Sequence, residues 1–235
     1  MLLSTSALSR QFSGLRAVQD VDFSLPQGQI RALIGPNGAG KTTFVSMLSG
    51  RIWPSSGQVR FLDQDVTTLP AHKRIMRGMA YTFQITSIFS NLPVLENVML
   101  AARRKIRDRS HVEQAALAAL DRVGLAGRET QVAGDLSYGH QRLLEIAMGL
   151  VQAPKLLILD EPTQGLADSE IETFKALVRD LVPETTILLI EHNMNVVMET
   201  AEIVTVMDFG QILAEGTPAE IRANPQVQAA YLGVG

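Results

Sequence analysis

Short apolar runs of strand length recur along the chain, and segments with helical periodicity lie between them. The runs cover Arg31–Ile34, Leu156–Asp160, Ile187–Ile190 and Val204–Met207. The helical segments cover Lys41–Ser49, Asp168–Leu181 and Asn193–Ala201. Continuous apolar strands separated by helices are typical of a parallel sheet that is covered on both faces. The pattern therefore predicts an α/β fold built on such a sheet.

Two other parts of the chain depart from this alternation. The N-terminal part contains three β-rich runs, which are Leu2–Ser9, Val18–Leu25 and Val59–Leu62. Between Glu96 and Leu150, apolar residues repeat at helical spacing and no strand pattern occurs. We expect one domain over 1–235, in which 1–95 and 151–235 form the core and a β sub-lobe. The stretch 96–150 is then an inserted helical sub-lobe.

Composition narrows the classes of function. The chain has 235 residues, of which 46% are hydrophobic, and its net charge is 21 − 24 = −3. This balance gives no reason to expect a nucleic-acid partner. The absence of cysteine excludes disulfides, thiolate metal sites and thiol nucleophiles.

The chain carries no pattern typical of membrane insertion. Its N-terminus does not have the form of a signal peptide, and no apolar run approaches the roughly 18–20 residues that span a bilayer. We therefore expect a chain that acts at a membrane only by docking on a spanning partner. The charged run Arg103–Arg109 is either a solvated helix end or loop, or a contact with anionic lipid headgroups or a partner.

One segment has the spacing of a phosphate-binding loop. The pattern G-x-x-x-x-G-K-[ST] is matched in full by Gly35, Pro36, Asn37, Gly38, Ala39, Gly40, Lys41 and Thr42. An apolar run precedes it and a helical segment follows, so that main-chain N–H groups and a helix N-terminus converge on the phosphates. We expect Lys41 to reach the β- and γ-phosphates, Thr42 to hold Mg²⁺, and Thr43 to add a phosphate contact. By itself this motif indicates a P-loop NTPase.

Two acidic residues stand at the end of one apolar run. Asp160 ends the run Leu156–Asp160, and Glu161 follows it. Asp160 is placed to hold the Mg²⁺ shell, and Glu161 to activate the attacking water as general base. A pair of acids that merely ends a strand is the alternative.

The segment Leu136-Ser137-Tyr138-Gly139-His140-Gln141 resembles the signature of the ABC ATPase family, commonly Leu-Ser-Gly-Gly-Gln. Ser137 is also a favourable N-cap for a following helix, where Ser137, Gly139 and His140 would form an anion site. The resemblance implies a P-loop NTPase (RecA-like) core with a mostly parallel sheet, an N-terminal antiparallel β sub-lobe and an inserted α-helical sub-lobe. It also implies that ATP is sandwiched between two such chains, each signature facing the partner's γ-phosphate.

Three further positions fit the family pattern. Gln84, in Tyr81-Thr82-Phe83-Gln84, resembles the glutamine that senses Mg²⁺ and the γ-phosphate, and His192 resembles the switch histidine. Phe12 lies near the position of the aromatic residue that stacks on adenine, although a core position is the alternative. The resemblance thus places Lys41, Gln84, Glu161 and His192 in hydrolysis.

The sequence departs from the family pattern in two places. In the signature, Tyr138 replaces a glycine, and His140 stands where glutamine is usual. After Glu161, Ala167 replaces the usual bridging aspartate, or Asp168 takes its role one position later.

The resemblance also implies partners. These are transmembrane permease subunits, a second ATPase subunit (homo- or heterodimer) and, indirectly, an extracytoplasmic solute-binding protein, with the chain peripheral on the cytoplasmic face of the inner membrane. The segment Ile85–Leu95 is either a docking groove for a permease helix or a buried link. Ile190–Met194 and the C-terminal segments further resemble ATPases of importers for branched-chain or related amino acids and amides. The ATPase of lipopolysaccharide export and a soluble ABC ATPase of DNA repair or translation are the alternatives.

Overall fold

The computed structural model of the chain describes residues 1–82, 87–182 and 184–232. Its strands are β1 (Leu3–Phe12), β2 (Leu15–Leu25), β3 (Ile30–Ile34), β4 (Ser56–Phe61), β5 (Gln64–Asp65), β6 (Met79–Thr82), β7 (Leu156–Asp160), β8 (Thr186–Ile190), β9 (Ile203–Asp208) and β10 (Gln211–Gly216). In this part of the chain they form two sheets, in the orders β10-β9-β3-β8-β7-β6 and β2-β1-β4-β5.

The larger sheet is parallel except at one edge. Strands β9, β3, β8, β7 and β6 pair in parallel, and β10 pairs antiparallel with β9. The smaller sheet is antiparallel throughout. The predicted α/β fold, with a mostly parallel sheet and an N-terminal antiparallel sheet, is therefore confirmed.

Helices alternate with the strands, and one part of the chain contains helices without a strand between them. They are α1 (Lys41–Ser49), α2 (Ala71–Met76), α3 (Val94–Ala102), α4 (Arg109–Arg122), α5 (Tyr138–Leu150), α6 (Asp168–Leu181), α7 (Met194–Thr200), α8 (Pro218–Ala223) and α9 (Pro225–Leu232). Within 96–150, which is fully described, there are helices and a short 3₁₀ turn but no strand. The main chain of Pro93 forms an isolated antiparallel bridge with that of Val132 near the start of this stretch.

Alternate residues of the central strands face opposite layers. Leu156 and Ile158 pack into a cluster with Phe44 of α1, whereas Leu157 and Leu159 pack into a second cluster with the helices of 96–150. All five residues of β3, β7 and β8 are buried. Burial of each such aliphatic side chain contributes about 1.5–3 kcal/mol, which holds the strand ends in fixed positions.

Helices in the described ranges are too short, or too polar, to form a transmembrane segment. The run Arg103–Arg109 connects the end of α3 to the first residue of α4, and all of its side chains except that of Ile106 are exposed.

Candidate functional site

Several residues that the sequence predicts to be functional follow the carboxyl ends of parallel strands in the larger sheet. Strands β3, β7 and β8 run in parallel, with Asp160 opposite Ile190. Their carboxyl ends lead to the loop 35–40, to Glu161 and to His192, respectively. Ligands of open α/β sheets bind outside the carboxyl ends of the strands. Gln84 follows β6 in the sequence but lies outside the described residues, so its predicted role stays a prediction.

Two glycines of the loop 35–40 allow close backbone packing. A Cβ atom on Gly35 would lie 2.1 Å from the carbonyl oxygen of Met207. A Cβ atom on Gly40 would lie 2.4 Å from the carbonyl oxygen of Ala17, and Gly40 has φ 98°. Larger residues do not fit at either position. The loop is thereby held between β2 and β9, and it enters α1 with no side-chain cap on the first N–H groups of that helix.

Lys41 begins α1 and folds back over the loop. Its Nζ donates to the carbonyl oxygens of Gly35 at 2.7 Å and Pro36 at 3.1 Å. Burial lowers the pKa of Lys41, and the carboxylates of Glu161 and Asp160 oppose this effect. The ammonium group is thus held at the loop. A bound anion would replace the two carbonyl oxygens as its hydrogen-bond acceptor. Thr42 is exposed and Thr43 is half-buried beside it.

Asp160, at the end of β7, is buried against a tyrosine that the sequence analysis did not assign. The Tyr81 hydroxyl donates to Asp160 Oδ2 at 2.5 Å and accepts from Arg51 Nη1 at 3.1 Å. Burial raises the pKa of Asp160, whereas the hydrogen bond from Tyr81 lowers it. Burial and the bond to Asp160 raise the pKa of Tyr81 above its usual range. Tyr81 therefore orients this carboxyl group.

Glu161 and His192 are brought together. The Nε2 atom of His192 lies 2.8 Å from Glu161 Oε1, with the histidine side chain 40% exposed and the glutamate side chain 17% exposed. Glu161 has φ 49°, an uncommon backbone conformation for a residue other than glycine, and its N–H donates to the Ile190 carbonyl at 2.9 Å. A strained backbone held by a neighbouring strand is common at functional sites.

Glu191 is a second residue that the sequence analysis left without a role. Its Oε1 accepts from the N–H of Thr163 at 3.0 Å and from its hydroxyl at 2.5 Å. Its Oε2 accepts from the N–H groups of His192 at 2.8 Å and Asn193 at 3.0 Å. This buried carboxylate ties the loop after β7 to the loop after β8. An acidic residue that follows a buried strand is often solvated. Nothing in the sequence distinguishes Glu191, which is buried and hydrogen-bonded, from such a residue.

A cavity of about 730 Å³ opens over the phosphate-loop motif. Its wall includes Asn37 to Thr43 of the motif, together with Glu161, His192 and Phe12. Phe12 ends β1 and is 40% exposed, and the guanidinium of Arg10 lies 4.5 Å from its ring centroid. Phe12 is thus placed on the cavity wall and not in the core.

The signature residues lie elsewhere. Ser137 caps α5, accepting from the N–H of His140 at 3.3 Å, and its Oγ lies 3.0 Å from His140 Nδ1. Gly139 and His140 line a separate cavity of about 160 Å³ and do not line the larger one. The phosphate loop and the signature are both predicted to contact phosphate. Within a single chain, they therefore line two different cavities.

Tyr138 and Gly139 pack against the loop that follows Glu161. The Tyr138 ring would lie 3.2 Å from a Cβ atom on Gly165, and a Cβ atom on Gly139 would lie 2.2 Å from Glu170 Oε1. Glu170 also accepts from the N–H of Ala167 at 2.9 Å, in place of a side-chain N-cap on α6. Tyr138 therefore fills the space above Gly165. Asp168 is an exposed first residue of α6.

The segment Ile85–Leu95 is described from residue 87 onward. Asn97 of α3 is buried and fastens it, since its side chain accepts from the N–H of Phe89 at 2.7 Å and donates to the Phe89 and Pro93 carbonyls. Phe89 itself is 53% exposed, whereas Ile88 is half-buried against the core. The segment is thus anchored on the domain and presents one aromatic side chain outward.

The chain matches two known family models. Residues 18–164 match the family model described as ABC transporter. Residues 211–235 match the model described as branched-chain amino acid ATP-binding cassette transporter.

Individual proteins match over nearly the whole chain. The high-affinity branched-chain amino acid transport ATP-binding protein BraF of Pseudomonas aeruginosa is 39% identical, over 99% of this chain and 98% of its own length. The lipopolysaccharide export system ATP-binding protein LptB of Escherichia coli is 33% identical, over 98% and 97%. The ADP conformation of MJ1267, an ATP-binding cassette of an ABC transporter, superposes with a TM-score of 0.91 at 28% identity, over 99% and 98%.

The four hydrogen bonds to Glu191 generate a prediction. In the wild type, each carboxylate oxygen of Glu191 faces two hydrogen-bond donors. In Glu191→Gln an NH₂ group replaces one of these oxygens, so that two of the donors lose their acceptor. We expect the free energy of unfolding, measured by urea denaturation, to fall by about 2–3 kcal/mol. The matched variant Glu113→Gln, at an exposed position on α4, should change it by less than about 0.5 kcal/mol. Equal stabilities of the two variants would contradict a structural role for Glu191.

Proposed function

The chain belongs to the ABC transporter family of ATP-binding subunits, and we propose that it powers the import of branched-chain or related amino acids through permease subunits. It is an ATPase of this family. The observation that carries the assignment of ATP hydrolysis to this cavity is the pair Glu161–His192, at 2.8 Å, on the wall beside the phosphate loop.

In this proposal the loop 35–40 and the first residues of α1, Lys41 to Thr43, hold the triphosphate of ATP, and Phe12 contacts the adenine. Main-chain N–H groups at the start of α1 and the ammonium of Lys41 carry the phosphate charge. Glu161 accepts a proton from the water that attacks the γ-phosphorus, and ADP leaves with the β–γ bridging oxygen. His192, bonded to Glu161, orients this carboxylate and contacts the γ-phosphate.

Thr42 and Asp160, with Gln84, would hold Mg²⁺. Within the described ranges, no group of three or more His, Asp or Glu side chains forms a metal site by itself. Mg²⁺ at nucleotide sites is bound by one or two carboxylates together with phosphates, and a single buried Asp160, which interacts electrostatically with Lys41, the chain neighbour of Thr42, fits that arrangement. When bound, the ion neutralises charge that develops on the phosphate oxygens.

Two copies of the chain, or this chain and a paralogue, would form the hydrolysing unit. The helix α5 presents its capped N-terminus at Ser137 and Gly139, yet these residues do not line the cavity of the phosphate loop. A two-fold arrangement allows each signature to reach the nucleotide on the partner chain. The helical stretch 96–150 would then act as a sub-lobe that carries the signature.

The permease, rather than this chain, would select the solute. The segment that contains Phe89 is our candidate for contact with a permease helix at the cytoplasmic face of the inner membrane, since it presents an exposed aromatic side chain from an anchored loop. Substrate would arrive from an extracytoplasmic binding protein. The match of residues 211–235 supports amino-acid import over export.

Substitution Glu161→Gln tests the assignment of the general base. The amide keeps the size of the side chain but no longer accepts a proton, so ATP should still bind while turnover falls at least tenfold. Phosphate release and equilibrium binding of ATP are measured on the same preparation, with Glu113→Gln as the control. Turnover near that of the wild type would remove Glu161 from the role of base.

Uptake in cells tests the proposed cargo. Deletion of the gene should lower uptake of radiolabelled leucine and valine, and the wild-type chain should restore it whereas Glu161→Gln should not. The control is uptake of an unrelated solute, which should stay unchanged. Normal leucine and valine uptake with a defect in lipopolysaccharide at the cell surface would instead favour export.

A further inference from the structure

Phe209 lies in the turn between β9 and β10 and is the most exposed large apolar residue among those described. Its side chain is 82% exposed, and its backbone has φ 42°. A bulky residue rarely adopts this left-handed conformation, because its Cβ is crowded by the backbone. This conformation costs free energy, and residues with strained backbones cluster at functional sites.

The turn is fixed to the phosphate loop and to β2. The N–H of Gly210 donates to the Ala39 carbonyl at 2.9 Å, and the N–H of Gln19 donates to the Gly210 carbonyl at 2.8 Å. The Gln19 side chain also donates to the Phe209 carbonyl at 3.1 Å. These bonds hold the backbone of Phe209 in place, so its position relative to the loop 35–40 is set by the fold.

Phe209 also lines the cavity of about 730 Å³, together with Phe12 and Leu15. These three exposed apolar side chains gather at a cavity whose remaining wall is largely polar. One face of the Phe12 ring is covered by the Arg10 guanidinium at 4.5 Å, which leaves the other face for a planar ligand. A purine base presents two apolar faces and needs contact on both to leave water.

We propose that Phe209 contacts the purine base of the bound nucleotide and, with Phe12, provides the apolar surroundings of that base. This inference rests on the proposed function, since it takes the cavity as the ATP site. It assigns a role to the turn between β9 and β10, whose backbone bonds connect the base contact to the phosphate loop.

Equilibrium binding to the purified full chain tests this role. For Phe209→Ala the dissociation constant for ATP should rise at least about fivefold, the lower end expected for loss of one aromatic contact with a base. The dissociation constant for inorganic tripolyphosphate, which has no base, should stay within about twofold of the wild-type value. The matched control Leu117→Ala removes an exposed apolar side chain of α4 outside the cavity and should leave both constants unchanged.

A glycine substitution separates a ligand contact from a structural role. Glycine adopts φ 42° without strain, so Phe209→Gly should melt at the same or a higher temperature than the wild type. Its affinity for ATP should nevertheless fall as far as that of Phe209→Ala. A lowered melting temperature, or equal losses of ATP and tripolyphosphate binding, would show that Phe209 acts on the fold of the loop.

The outcomes distinguish this inference from the proposed function. If the wild-type chain binds tripolyphosphate and ATP with equal affinity, the base makes no contact and this inference is overturned. If Phe209→Ala binds ATP as the wild type does, Phe209 is free for another partner and the inference is again overturned. Failure of the wild-type chain to bind either compound would overturn the assignment of the cavity itself.

Discussion

The close backbone packing of the loop 35–40 is the constraint on which the rest of the site depends. The carbonyls of Met207 and Ala17 approach Gly35 and Gly40 so closely that a Cβ atom would overlap them, and Gly210 donates to Ala39. Strands from both sheets therefore fix one loop, and α1 begins where that loop ends. Because these contacts involve main-chain atoms, they hold the N–H groups of the loop in a fixed array. Electrostatic binding of phosphate depends on such preorganised donors.

The acidic part of the site is held by a second network that spans two strand ends. Glu191 accepts four hydrogen bonds from the loops after β7 and β8, and it thereby places Glu161 beside His192. Tyr81 orients Asp160 from the neighbouring strand. Lys41, Asp160 and the pair Glu161–His192 thus make hydrogen bonds within the chain. Engagement of phosphate exchanges those bonds, so the free energy of binding reflects a difference between two sets of contacts.

The apolar pattern predicted the buried strands well because both of their faces lie in the core, and it predicted the phosphate loop because that motif is local. It missed β6 and β10, which the structure places at the two edges of the sheet. β10 is half-exposed along its length, so it shows no continuous apolar run. Tyr81 and Glu191 were missed for a different reason. Their roles depend on pairing between strands that are distant in sequence, and no spacing within one segment encodes it.

In the proposed dimer, the phosphate loop of one chain meets the signature of another across ATP. The chain contains no cysteine, so thiols can be introduced at chosen positions without competition. Asn37→Cys and His140→Cys would be combined in the Glu161→Gln background and treated with a short bifunctional maleimide. We expect a dimer-sized product with Mg-ATP that is absent with ADP. The pairing of Asn37→Cys with Gln114→Cys, on the exposed face of α4, should give none. Equal cross-linking with ATP and ADP, or no dimer with either nucleotide, would contradict this arrangement of the two chains.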